Sequence, residues 1–130
     1  MLVPETFDIG VAHRIGRYCD AVRIPAGHDL IATAGMPGLR QDGTLPEEFT
    51  DEAVQAWRNV EAALAAAGAS LADVVQVRQW LTSAEDIQAY SAVRGQFIKH
   101  EPVFMLGVVP GLIWPSIRVE IEVVAAVPAG

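Results

Sequence analysis

Near its C-terminus the chain contains a segment that begins with a strict alternation of charged and apolar residues. From Arg118 to Val127, one set of alternate positions is aliphatic and the other begins with charges: Val119, Ile121, Val123 and Ala125 against Arg118, Glu120 and Glu122. A repeat of two is the side-chain period of a β-strand. The pattern therefore predicts a strand with one buried face. The polar face must meet something else, and a partner subunit is the natural candidate.

Two amphipathic helices are predicted upstream of this strand. Thr50 is the expected N-cap of the first, with acidic residues in its first turn, and Gly68 follows its end. Its apolar residues recur at helical spacing: Val54, Trp57, Val60 and Leu64. Ser83 is the expected cap of the second helix, which ends before Pro102. The apolar line of that helix is Ile87, Tyr90, Val93 and Phe97.

The remaining apolar segments are short and bounded by Gly and Pro, which indicates strands. They cover 18–24, 30–34, 74–81, 103–109 and 118–127. The loop PAGHD between the first two predicts a hairpin. The resulting order, β-β-α-β-α-β-β, predicts an α+β fold with a mixed sheet and two helices on one face. We expect one domain over residues 1–130, with 1–15 as an N-terminal arm.

The composition favours an oligomer. Hydrophobic residues make up 52% of the 130 residues and charged residues 19%. A small domain has a high ratio of surface to volume, so this much apolar side chain exceeds what one subunit can bury. We therefore expect part of it to lie in an interface between subunits.

The charge and residue content disfavour several other classes of protein. A net charge of −7 without a basic run disfavours a ribonuclease or a DNA-binding protein. A single cysteine rules out an internal disulfide and favours a reducing compartment. The three histidines are scattered, so no metal site is expected. The most apolar stretch, 103–114, is far shorter than the about 20 residues of a membrane helix. We see no apolar signal segment and expect a soluble cytoplasmic protein.

Several segments together resemble the RidA/YjgF (reactive-intermediate deaminase) family. They are GRYCDAV, LIATAGMPG, AWRNVEAALAAAGASLADVV, the apolar strand after Pro102, and RVEIEVVAA. The resemblance extends from residue 16 to residue 127. It implies a chorismate-mutase-like homotrimer with a central barrel and a ligand cleft at each interface. It also implies hydrolysis of reactive enamines and imines, such as 2-aminoacrylate, to a ketoacid and ammonia, without a cofactor.

The resemblance also implies a set of site residues. Glu120 matches the glutamate that holds the attacking water, although a solvated carboxylate or an ion pair with Arg118 is the alternative. Tyr18 matches a tyrosine of the cleft, with simple aromatic packing as the alternative. Ala34 and Gly35 stand where the family has Ser-Gly. The hydroxyl is thus lost, while the glycine still lets a ligand approach the backbone.

At three further positions the chain carries a different residue from the one the family has. Phe104 stands where active members have the arginine that binds the substrate carboxylate, which indicates either a pocket retuned for an apolar ligand or an inert one. Ser91 and Arg94 replace Asn and Tyr on the second helix. Arg94 or Arg17 is a candidate substitute cation, but a helix-surface role for Arg94 is the safer interpretation. Two functions therefore stay open: an enamine/imine hydrolase with altered substrate range, and a non-catalytic trimer that binds a small metabolite.

Overall fold

The computed structural model describes residues 3–130, and a mixed five-stranded sheet lies at its centre. The strands are β1 (Glu5–Phe7), β2 (Ala21–Arg23), β3 (His28–Ala32), β4 (Met36–Pro37), β5 (Val74–Leu81), β6 (Val103–Val108) and β7 (Val119–Pro128). The helices are α1 (Ala12–Ile15), α2 (Phe49–Ala66) and α3 (Ile87–Phe97), with 3₁₀ turns at Leu71–Asp73 and Ala84–Asp86.

The long strand β7 organises the sheet. It pairs antiparallel with β3, β4 and β5, and β5 pairs parallel with β6, so that β6 is an edge strand. The predicted alternation of β7 is confirmed, since Val119, Ile121 and Ala125 are fully buried and Val123 is 3% exposed. The strand predicted at 74–81 has the same bounds in the structure.

Both long helices pack on one face of the sheet. Trp57 and Leu64 of α2 and Tyr90 of α3 are completely buried and join Val77 and Leu81 of β5 in one core. The predicted helical faces are therefore confirmed. Gly68 follows α2 with a φ of 81°, a conformation that glycine adopts without strain. We call the opposite side of the sheet, which neither α2 nor α3 covers, the open face.

Two predictions about local structure are wrong. The segments predicted as a hairpin do not pair with each other: β2 pairs with β1, and β3 pairs with β7. In addition, α2 begins at Phe49 with Glu48 as its N-cap, so Thr50 is an exposed residue of the first turn. The earlier start has a physical reason, because Phe49 is only 9% exposed and helical geometry places its ring in the core.

The ion pair with Arg118, given above as one alternative for Glu120, is not formed among residues 3–130. Arg118 turns instead to the fully buried Glu52 of α2, and both its backbone N–H (2.8 Å) and its Nε (2.7 Å) donate to that carboxylate. Its Nη2 donates to the carbonyl of Glu47 at 2.9 Å. A buried carboxylate needs such partners, and this one joins the start of α2 to the start of β7.

The segment that precedes β2 is hydrogen-bonded to the rest of the molecule. Met1 and Leu2 lie outside the described residues. Asp20 accepts hydrogen bonds from the backbone N–H groups of Ile9 (2.7 Å) and Ala12 (2.8 Å), which secures the turn before α1. The Cys19 N–H donates to the Pro102 carbonyl at 3.1 Å, so the next segment runs along the start of β6. Among residues 3–130, no helix is long and apolar enough to span a bilayer.

Candidate functional site

The first part of the candidate site lies on the open face. Glu120 is paired in register with Trp80 of β5, and its side chain lies directly against Gly35. A Cβ at Gly35 would be 3.0 Å from Cδ of Glu120, closer than an ordinary van der Waals contact. The glycine therefore provides the space for the carboxylate. Ala34, next to it, is exposed.

Glu120 differs from its neighbour on the same face in how it is paired. Glu122 forms an ion pair with Arg78 at 2.7 Å. Glu120 has no such partner among residues 3–130. Its carboxylate therefore remains available to a water molecule or a ligand, whereas the charge of Glu122 is already compensated.

The second part is a cavity of about 370 Å³ at the edge of the sheet. Its walls come from α3, β5, β6 and the segment before β2: Ile15, Gly16, Tyr18, Gln79, Ile87, Ser91, Arg94, Phe104, Met105 and Leu106. A second depression of about 260 Å³ adjoins it and adds Arg17 and His100. Four of the predicted site residues thus line one cavity: Tyr18, Ser91, Arg94 and Phe104.

Arg94 points into this cavity, so its helix-surface interpretation is wrong. Its Nη1 donates to Oε1 of the completely buried Gln79 at 2.9 Å. Its guanidinium lies over the ring of Phe104, 4.3 Å from the centroid. Desolvation by burial lowers the pKa of Arg94 from its ordinary value, while Tyr90 and Tyr18 act in the opposite direction.

The structure separates Phe104 from Glu120. Phe104 pairs in register with Val77, on the helix-covered face, and its ring packs 5.4 Å from that of Tyr18. The next β6 residue, Met105, lies on the open face, where it pairs with Arg78 and is 41% exposed. The sheet therefore stands between Phe104 and the carboxylate of Glu120 within one chain.

The expected site residues consequently form two groups. We call the residues Ala34, Gly35 and Glu120 the carboxylate half, and Tyr18, Ser91, Arg94 and Phe104 the cavity half.

Sequence reasoning missed Gln79, Met105 and Trp80. A signal for Gln79 was present, since it is the polar residue at a core position of β5. A buried amide needs hydrogen-bond partners and so points to a polar network.

Among residues 3–130, no group of three or more histidine, cysteine or acidic side chains is placed to hold a metal ion.

The fold and this arrangement place the chain in a known structural class. The Rid family protein YyfB of Yersinia pestis superposes with a TM-score of 0.81 at 22% identity, covering 97% of this chain and 100% of that one. Rv2704 of Mycobacterium tuberculosis, a member of the YjgF/YER057c/UK114 family, superposes with a TM-score of 0.69 at 31% identity, covering 95% and 99%. The molecule therefore has the α+β fold of YjgF-type proteins.

The sequence identifies the family. The family described as Endoribonuclease L-PSP matches residues 11–127. The RutC family protein YjgH of Escherichia coli K12 is 30% identical over 114 residues, which are 86% of this chain and 84% of the relative. A 2-iminobutanoate/2-iminopropanoate deaminase of Dermatophagoides farinae is 32% identical over 85 residues, 65% of this chain and 66% of the relative. The chain belongs to the Endoribonuclease L-PSP family, which is the RidA/YjgF family of the sequence resemblance.

Proposed function

We propose that the protein is a hydrolytic deaminase of reactive enamines and imines, with sites between the subunits of a homotrimer. The observation that carries the proposal is the unpaired carboxylate of Glu120, held against Gly35 on an open sheet face. The iminobutanoate/iminopropanoate deaminase to which the chain is similar supports the reaction class.

The positions of the two halves support a site shared by two chains. The carboxylate half lies on the open face and the cavity half on the other side of β6, so one chain cannot bring them together. A second subunit that covers the open face with its own cavity half would do so. The open face also exposes large apolar residues that such contact would bury, Leu30 (61%) and Met105 (41%).

The chemistry assigned to Glu120 is activation of water. An enamine first tautomerises to the imine, and water then adds to the carbon of the C=N bond. Glu120 accepts a proton from that water and returns it to nitrogen, which forms the carbinolamine. The hydroxyl proton of the carbinolamine then moves through Glu120 to the same nitrogen as the C–N bond breaks, which gives the ketone and ammonia. At Gly35 the lack of a side chain lets the reacting centre approach the backbone.

The altered substrate range belongs to the same proposal. The wall of the cavity at Phe104 is apolar, so we expect poor turnover of 2-aminoacrylate, whose side chain is a single methylene group. Imines with longer apolar side chains should react faster, because they bury more apolar surface in the cavity. Each Å² buried contributes about 25 cal/mol of favourable free energy.

The test measures ketoacid release from freshly generated imines. Wild type is compared with Glu120→Gln, and Glu122→Gln serves as the matched control on the same face. We expect turnover of branched-chain imines to disappear in Glu120→Gln and to persist in Glu122→Gln. Equal turnover by the wild type and Glu120→Gln would contradict the proposal.

A non-catalytic trimer that binds a metabolite is the second candidate function. It is favoured by Ala34, which brings no hydroxyl to the carboxylate half. If the wild type binds ketoacids but releases none from any imine, this second function is the correct one.

A further inference from the structure

Among residues 3–130, Arg94 contributes the one guanidinium that lines the cavity of about 370 Å³. We propose that it binds the carboxylate of an imino or keto acid whose side chain is branched aliphatic or aromatic. The apolar part of that ligand lies against Phe104, Ile87 and Leu106. This inference rests on the proposed function for the imine itself, but the binding of a carboxylate can be measured without turnover.

A buried network fixes the position of the guanidinium. Oε1 of Gln79 accepts from the Tyr90 hydroxyl at 2.6 Å and from Arg94 at 2.9 Å. Nε2 of Gln79 donates to the carbonyl of Met105 at 3.0 Å. Because Gln79 and Tyr90 are both completely buried, solvent does not compete for these bonds. Arg94 is therefore held at the cavity rather than extended into water.

The charge of Arg94 is left without an acidic partner. No carboxylate lies within ion-pair distance of it in the part of the chain that the structure describes. The ring of Phe104 covers one face of the guanidinium, but the N–H donors lie in its plane and are not blocked by stacking. A partly buried cation with donors to spare favours an anion, and a carboxylate matches its planar geometry.

The lining of the cavity determines what the carboxylate must carry. Beyond Arg94, the walls are mainly aliphatic and aromatic, with the hydroxyls of Tyr18 and Ser91 as additional polar groups. A cavity of this size lies at the small end of the about 300–1,000 Å³ range of ligand pockets. A three-carbon acid would leave much of the apolar wall in contact with water, whereas a branched or aromatic side chain would cover it.

Calorimetric titration with stable keto acids tests the proposal. The probes are 4-methyl-2-oxopentanoate, its methyl ester, pyruvate and inorganic phosphate. We expect the branched acid to bind roughly tenfold or more tightly than pyruvate. In Arg94→Gln the branched acid should bind roughly ten- to a hundredfold more weakly, while the ester is unaffected. The control Arg17→Gln, which removes an exposed cation of the adjoining depression, should bind the acid as the wild type does.

Several results would overturn the inference. They are no binding of the branched acid by wild type, an equal loss of acid and ester in Arg94→Gln, or phosphate binding as tightly as the acid. Should Arg94→Gln fail to fold, Arg94→Lys keeps the charge but not the planar donors, and it should lose affinity for the acid alone.

The failure of this inference is distinguishable from the failure of the proposed function. If imines are hydrolysed but Arg94→Gln leaves both KM and the dissociation constant unchanged, the inference is wrong and the deaminase stands. If Arg94 governs acid binding but no imine is hydrolysed, the deaminase is wrong and the binding role of Arg94 stands.

Discussion

Gly35→Ala places a methyl group where the side chain of Glu120 meets the backbone. The added Cβ would lie 3.0 Å from Cδ and 3.2 Å from Cγ of Glu120, against 3.4–4 Å for an ordinary contact, and it would meet the carboxylate oxygen first. Because Gly35 does not have a positive φ, alanine fits its backbone. The substitution therefore acts on the position of the Glu120 carboxylate and not on the chain path.

The expected effects on stability nearly cancel. Moving Glu120 off its preferred rotamer costs about 0.5–1.5 kcal/mol. Replacing glycine by alanine restricts the unfolded chain and contributes about 0.4–1 kcal/mol in the other direction. We therefore expect Tm to change by only a few degrees. Turnover should respond more strongly, because a shift of about 1 Å in a catalytic group lowers the rate by roughly a hundredfold.

The assay compares kcat for a branched imine and the binding of the keto acid by Gly35→Ala with those of wild type. We expect kcat to fall about 10- to 100-fold, with keto-acid affinity unchanged. Gly111→Ala is the control, because nothing lies within 4 Å of a Cβ at that position. If Glu120→Gln abolishes turnover but Gly35→Ala keeps the wild-type kcat, the contact with Gly35 does not position the carboxylate.

Three further predictions concern stability and reactivity. Arg118→Gln removes the cationic partner of the buried Glu52 and should lower the free energy of unfolding, measured in urea, by about 3 kcal/mol. Arg23→Gln breaks an exposed ion pair and should lower it by less than about 1 kcal/mol. Equal losses in the two variants would contradict this ranking. Backbone N–H donors, that of Ile9 above all, lower the pKa of Asp20, so its contribution to stability is present above about pH 4 and is lost as the pH falls through the lowered value. Acid titration of stability in Asp20→Asn should lack that component, and an unchanged acid profile would refute it. Burial raises the pKa of the Cys19 thiol, and the residue is only 2% exposed. Cys19 should therefore react with a thiol reagent at neutral pH only after the protein unfolds. Rapid labelling of the native protein would be the contrary result.

The elements of the fold were predictable where one periodicity dominates. The alternation from Val119 to Ala125 and the apolar line of α2 each allow a single interpretation, and the structure agrees with both. The pairing of β3 was not predictable in this way. A hairpin with the preceding strand and a ladder with the distant β7 satisfy the same local pattern, and only tertiary packing decides between them.

The candidate site was predictable in its residue types but not in its geometry. Val103 to Val108 contains no polar residue, so no alternation reveals which side chains of β6 face the helices. The register with β5 settles this point and places Phe104 and Met105 on opposite faces. Likewise, the direction of Arg94 depends on Gln79, a partner fifteen positions away on another element. Local sequence contains neither fact.

In the proposed homotrimer, the carboxylate half of one chain works with the cavity half of another. Mixed oligomers of Glu120→Gln and Arg94→Gln, refolded together from denaturant, test it directly. In a random equimolar mixture about one interface in four joins an intact carboxylate half to an intact cavity half. With substrate well below KM, imine hydrolysis should recover to about a quarter of the wild-type rate, whereas Glu120→Gln alone is inactive and Arg94→Gln alone keeps at most about a tenth of that rate. No recovery in oligomers shown by mass spectrometry to contain both variants would contradict it.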